Sequence, residues 1–332
     1  MTPLPLKSAR DAAKRGLLQP VKELLETGPC PSPTSLLRLV ANDYHSIKKK
    51  AGHVDLARFL LENGASVDRE MVYQSARSGC ADLVSLLLVG GDNEDVFMAS
   101  AAGSFEVVQR LLKLDATLAR SLDAEGRTPL HYCCASSLGK GNVDATEVLA
   151  AIASTLLKSG APVDAPAHCG GLDLITPLEH TCWTGGNATT FHLLLQRGAR
   201  PTSRALWAAL GHFQRHGAGH YELAAELLQC GIDINENDGR TLLHAFSAHE
   251  DARGVDWLLE HGADTAARDA NGCTPLHHVG RRNRGIKVAK LLLAAGACVA
   301  ALDDDGYTPI HFAKQKGQDR LVALMTGSLS VS

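Results

Sequence analysis

Fifteen histidines and nine cysteines give this 332-residue chain most of its chemical range. His212, His216 and His220 recur every four positions, a spacing that would align imidazoles as metal ligands on an unbroken helix. Gly217 and Gly219 interrupt that helix, so no metal is assigned and a site at His212 and His216 is kept as an alternative. Glu179 and His180 are adjacent, with Cys182 two residues on and Cys169 shortly before. Lining a groove, such a set could pass a proton between acid, base and thiol. The plainer reading is a degenerate motif with Glu179 in another residue's slot, and no catalytic residue is assigned. The chain has no G-x-x-x-x-G-K-[ST], G-x-S-x-G or H-E-x-x-H, and no G-x-G-x-x-G after a strand. No cofactor is expected.

The cysteine count is odd and no C-x-x-C pair occurs, which fits free thiols in a reducing compartment. Charged residues are 21%, apolar residues 45% and the net charge −3, which excludes a disordered chain and the basic excess that a nucleic-acid backbone favours. No apolar run approaches a membrane span, and the first residues lack a signal-peptide pattern. A soluble, cytoplasmic protein is expected. Aromatics are only 5%, while Leu and Ala abound, a composition suited to short, closely packed helices.

The elements that must carry these residues repeat. Asp123, Gly126, Thr128, Pro129, Leu130 and His131 recur in order and spacing as Asp269, Gly272, Thr274, Pro275, Leu276 and His277. Asp303, Gly306, Thr308, Pro309, Ile310 and His311 form a third copy. Gly239, Thr241, Leu243 and His244 form a softer one, and Thr176, Pro177 and Leu178 a fifth. Thr241 to Thr274 is 33 residues and Thr274 to Thr308 is 34. A second marker, two leucines followed by glycine, runs from Leu24, Leu25 and Gly28 to Leu292, Leu293 and Gly296 and fills the gaps. Each Thr suits a helix N-cap and each Pro the first helical position. The Gly after Leu-Leu suits a left-handed helix stop, and the Asp…Gly stretches suit turns.

A period near 33 with a Thr-Pro-Leu-His signature resembles the ankyrin repeat, in about ten units covering nearly the whole chain. The resemblance implies an all-α repeat solenoid of stacked helix–turn–helix units with short β-hairpin fingers. It also implies structural roles for His131, His244, His277 and His311, which would tie neighbouring units, and for His53 and His220 in Gly-His turns. Asn235, after Asp233, resembles the position that asparaginyl hydroxylases modify in such repeats. Recognition in the family falls on the finger tips and inner-helix ends. Carried onto this chain, those positions are Glu125, Arg127, Asp238, Arg240, Asn271, Arg281, Arg282, Asp304, Asp305 and Tyr307. Acidic tips beside basic helix ends suit a protein or peptide partner, since duplex nucleic acid needs a more uniformly positive surface. A monomeric, non-catalytic scaffold or adaptor is expected.

By regularity the chain divides into divergent repeats over 1–123, repeats with insertions over 124–234, regular repeats over 235–327 and a tail, 328–332. Insertions fall between the two helices of a unit, at 42–50, 136–144 and 211–218. Gly64 to Gly91 is only 27 residues, so a finger is expected to be trimmed there. The alternative function, a small-molecule, metal or catalytic site, would lie in the irregular middle, 131–220.

Overall fold

The computed structural model describes residues 6–27, 31–42, 51–90, 95–169, 172–185, 187–211, 220–236, 238–281 and 285–329. Among them are twenty α-helices, in which a short inner helix alternates with an outer helix that folds back on it. The chain forms two compact units, Met1–Arg200 and Pro201–Ser332.

Local chemistry starts and stops the helices as the sequence predicts. Thr128, Thr274 and Thr308 sit at N-caps with Pro in the next position. The motif histidine completes the cap in the first two. The Thr128 N–H donates to His131 Nδ1 at 3.0 Å and the Thr274 N–H to His277 Nδ1 at 2.9 Å. An Nδ1 that accepts from an amide must be unprotonated, so the proton sits on Nε2. That nitrogen donates to the next repeat: His131 to the Ile175 carbonyl (3.1 Å), His244 to Cys273 (2.9 Å) and His277 to Tyr307 (3.1 Å). His311 departs from this expectation, since it is exposed and stacks on Tyr307 instead. Outer helices end at glycines with left-handed φ, such as Gly262 and Gly296, both at 88°. The core along both units is mostly Leu, Ala and Val.

The fingers obey a second rule. In each of Asp123, Asp269 and Asp303, Oδ1 accepts the amides two and four residues on, fixing the turn. Fingers then join through the backbone, as where the Ala270 N–H donates to the Gly239 carbonyl and the Asp304 N–H to Asn271. The finger after helix Val143–Lys158 is longer, an antiparallel pair of Ala167–Cys169 and Leu172–Ile175.

Between helix Ala51–Glu62 and helix Arg69–Arg77 the described residues form no finger, in line with the short spacing. Asp68 and Asp95 cap helices Arg69–Arg77 and Val96–Ala102 directly. Side-chain ion pairs bridge neighbouring repeats there, Arg38 to Asp68 at 2.6 Å and Arg69 to Asp95.

Candidate functional site

In the C-terminal unit the finger and helix-end residues lie at the surface on fixed backbone. Asp238, Arg240, Asn271, Asp304 and Asp305 are exposed, and Tyr307 is 43% exposed. The Asp303 turn holds the Tyr307 amide at 2.8 Å while His277 binds its carbonyl, so an aromatic ring is presented from a rigid stem. That ring stacks on His311, with centroids 4.2 Å apart, and meets Phe312 edge-on at 6.0 Å. Arg281, exposed at the C-cap of helix Pro275–Gly280, lies 4.4 Å from the Phe312 ring centroid. Arg281 Nη2 also reaches the Cys273 sulfur at 3.4 Å. Cys273 occupies a finger slot but is buried, and burial pushes its thiol up to about 11. Beneath the same finger, His278 Nε2 donates to Asp269 Oδ2 at 2.6 Å. Burial holds this imidazole below its ordinary value, so the donor is the neutral ring. Arg282 lies outside the described residues, as do His212 and His216.

The N-terminal unit treats the equivalent positions differently. Glu125 is exposed, as expected. Arg127 is not a surface residue: it is 4% exposed and belongs to a buried polar cluster. Its Nε donates to Asp123 Oδ2 at 2.6 Å and its Nη2 to Glu70 Oε2 at 2.8 Å. Tyr132 Oη donates to the same Asp123 oxygen at 2.8 Å. Burial opposes the charge on Asp123, yet these hydrogen bonds together hold its carboxyl below the usual range. The Arg127 guanidinium lies 4.4 Å from the Tyr73 ring centroid and 5.0 Å from that of Tyr132, and the two rings touch at 4.7 Å.

Tyr73 and Glu70 come from helix Arg69–Arg77, and Tyr132 from Pro129–Ala135, two repeats away. Helix Val96–Ala102 packs between them, and every residue from Val96 to Ala101 is buried. The two outer members meet past it, where Arg127 reaches Glu70 and the Tyr73 and Tyr132 rings touch. The inserted stretch after Ala135 makes a second crossing, where the Ser137 N–H donates to the Ala76 carbonyl at 3.0 Å. Sequence reasoning missed this cluster. Its signal was Tyr132 beside an aspartate-led finger, preceded by the short Gly64–Gly91 spacing.

Glu179, His180 and Cys182 are brought together but do not line a groove; all three are buried. Glu179 Oε2 accepts the Thr176 N–H at 2.9 Å while Thr176 Oγ1 accepts the Glu179 N–H, so the pair caps helix Pro177–His180. Burial drives His180 well below its ordinary value, with His131, Arg77 and Arg127 adding in the same direction. His180 meets Tyr73 Oη at 3.5 Å and stacks on Trp183, which follows in a π-helical turn, Thr181–Gly185. Burial also raises the Cys182 thiol far above its usual range and that of Cys134 to about 12. A thiol held protonated beside a base held neutral is core chemistry, not an activated nucleophile. Among the described residues, no group of three His, Cys, Asp or Glu side chains could hold a metal ion. No helix among them is long and apolar enough to cross a membrane.

A family model described as ankyrin repeats (3 copies) matches residues 72–158 and 206–301, more than half of the chain. The unmatched stretch between holds the long finger and the π-helical turn. Among solved structures, the human ASB11 ankyrin repeat domain is 22% identical, with 69% of this chain and 96% of that one covered and a TM-score of 0.53. The ankyrin repeat domain of Bcl-3, described as a unique member of the IkappaB family, is 23% identical, with 70% and 97% covered and a TM-score of 0.51. No curated protein matches the chain. Caps, motif histidines, fingers and these matches lead to one assignment: the chain belongs to the ankyrin-repeat family.

Proposed function

We propose that this chain is a non-catalytic scaffold or adaptor that holds a protein or peptide partner on the fingers and inner-helix ends of its C-terminal unit. Ankyrin repeat domains are in general protein-interaction modules. The observation that carries the finer reading is the contrast between the two units. In the N-terminal unit the finger arginine Arg127 is engaged internally, whereas Asp238, Arg240, Asn271, Asp304, Asp305 and Tyr307 are exposed, the last four on turns held by the carboxylates of Asp269 and Asp303. A surface already ordered loses little entropy on contact, so its binding energy is kept for the partner. Tyr and Arg are also the types enriched at energetic hot spots. The cytoplasm is the proposed setting.

Native mass spectrometry of the chain purified gently from its host identifies a co-purifying polypeptide by its mass. The double variant Arg240→Glu with Tyr307→Ala is then expected to lose that partner while its thermal melt stays near the parent's. Capture at the parent level would place the partner elsewhere.

A further inference from the structure

The last two repeats separate charge in a way that selects the chemistry of the partner. From Ala270 to Leu302 the chain has no acidic residue but five basic ones: Arg281, Arg282, Arg284, Lys287 and Lys290. From Gly306 to Gln318 it again has none, with Lys314 and Lys316 exposed at the end of helix Pro309–Gln315. Apart from Asp319, which starts the last helix, the acids lie in the fingers, and two of those are engaged there: Asp269 holds its turn and His278, and Asp303 holds its turn. Asp304 and Asp305 are exposed at the tip of the last finger, just before Tyr307.

Next to these acids lies a continuous platform of rings. Arg281 covers Phe312, Phe312 meets Tyr307 edge-on, and Tyr307 stacks on His311. In the preceding repeats the motif histidine is buried, and its Nε2 is committed to the next finger; His311 is exposed. A half-exposed aromatic stack with a guanidinium fixed along its edge fits a large apolar side chain set beside a carboxylate.

We infer that this platform docks an acidic peptide segment that carries an aromatic or large aliphatic side chain next to its carboxylate. The carboxylate pairs with Arg281 and the cations of the following helix end, and the apolar side chain covers Tyr307 and His311. This rests on the reading of the C-terminal unit as the partner surface and narrows it to one class of ligand. A peptide can set its carboxylate at Arg281 and leave the tip side uncharged, whereas a nucleic-acid backbone carries a charge at every phosphate and would meet Asp304 and Asp305.

The test is selection of random peptides displayed against the intact chain, followed by affinity measurements on single variants. Enriched peptides should pair Asp or Glu with Trp, Tyr, Phe or Leu within a few positions. Arg281→Glu and Tyr307→Ala should each weaken them about tenfold or more. Peptides with the acid changed to lysine should regain binding to Arg281→Glu, a reversal that misfolding cannot produce. Enriched peptides that are basic, or that bind Arg281→Glu as tightly as the parent, overturn the proposal. If such peptides instead lose binding to Arg240→Glu, the wider partner surface survives and only this ligand class falls. No enrichment on either set of residues removes both readings. A single-stranded oligonucleotide that binds through Arg281 and displaces the peptides makes the partner class wrong.

Discussion

Arg127 and Arg240 occupy the same finger position, yet one is buried and the other exposed. What decides is the neighbourhood: Arg127 has Asp123 beside it and Glu70 across the repeat of helix Val96–Ala102, whereas a glutamate, Glu236, replaces the leading aspartate of the Arg240 finger. Replacing Arg127 with Met leaves Asp123 buried without its cation, and breaking such a pair costs about 3–5 kcal/mol. Urea unfolding should show that loss, while Arg240→Met, on the surface, should move stability by only about 0.5 kcal/mol. His131 makes a second prediction. Burial pushes it down to about 4, against a free value of about 6.5. Between those values the unfolded chain binds the extra proton, so stability is full above about pH 6.5 and falls as pH drops toward 4. The contribution is roughly 3 kcal/mol for this group alone. His131→Gln should be less stable at pH 7 but show a shallower decline through the same window in chemical denaturation. The motif marked His131 as structural in the sequence. The burial of Arg127 was not legible there, because it depends on Glu70, 57 residues away.

The helices themselves were readable because their signals are local. Thr-Pro starts, Leu-Leu-Gly stops and the Asp-led turns all act within a few residues, and each appears where its chemistry requires. The missing finger before Arg69 was readable as a deficit in spacing. The π-helical turn at Thr181–Gly185 was not, since its Trp183 packs on His180 and on Arg77 from a distant helix, which no local pattern encodes. Two substitutions test helix packing in the C-terminal unit. Leu258 is fully buried in helix Ala252–Glu260, so Leu258→Ala should cost about 2–5 kcal/mol in thermal or urea melts. Gly254, in the same helix, faces Phe246 so closely that a methyl group would enter the space of its ring. Alanine gains about 1 kcal/mol of helix preference, but overpacking a filled core costs about 1–3 kcal/mol. Gly254→Ala should therefore lower the melting temperature, and a rise would show that the two helices slide apart freely.

At the scale of the whole molecule, the break between Arg200 and Pro201 predicts that residues 201–332, produced alone, melt cooperatively by circular dichroism and keep the peptide preference of the full chain. In a regular array each repeat feels only the repeats beside it, and stability is a sum of such neighbour terms. The cluster around Arg127 breaks that rule, since Glu70, Tyr73 and Ala76 bond directly to residues two repeats further on. Helix Val96–Ala102 cannot open while its outer neighbours stay joined over it. Its amides should therefore exchange hydrogen together with those of Arg69–Arg77 and Pro129–Ala135, in one step. The same coupling limits how the array can be edited. Elsewhere a recombination event that removes one repeat leaves two matching faces to rejoin. Between Arg69 and Asn142 it would part Arg127 from Glu70, so that stretch can be duplicated or lost only as a single block.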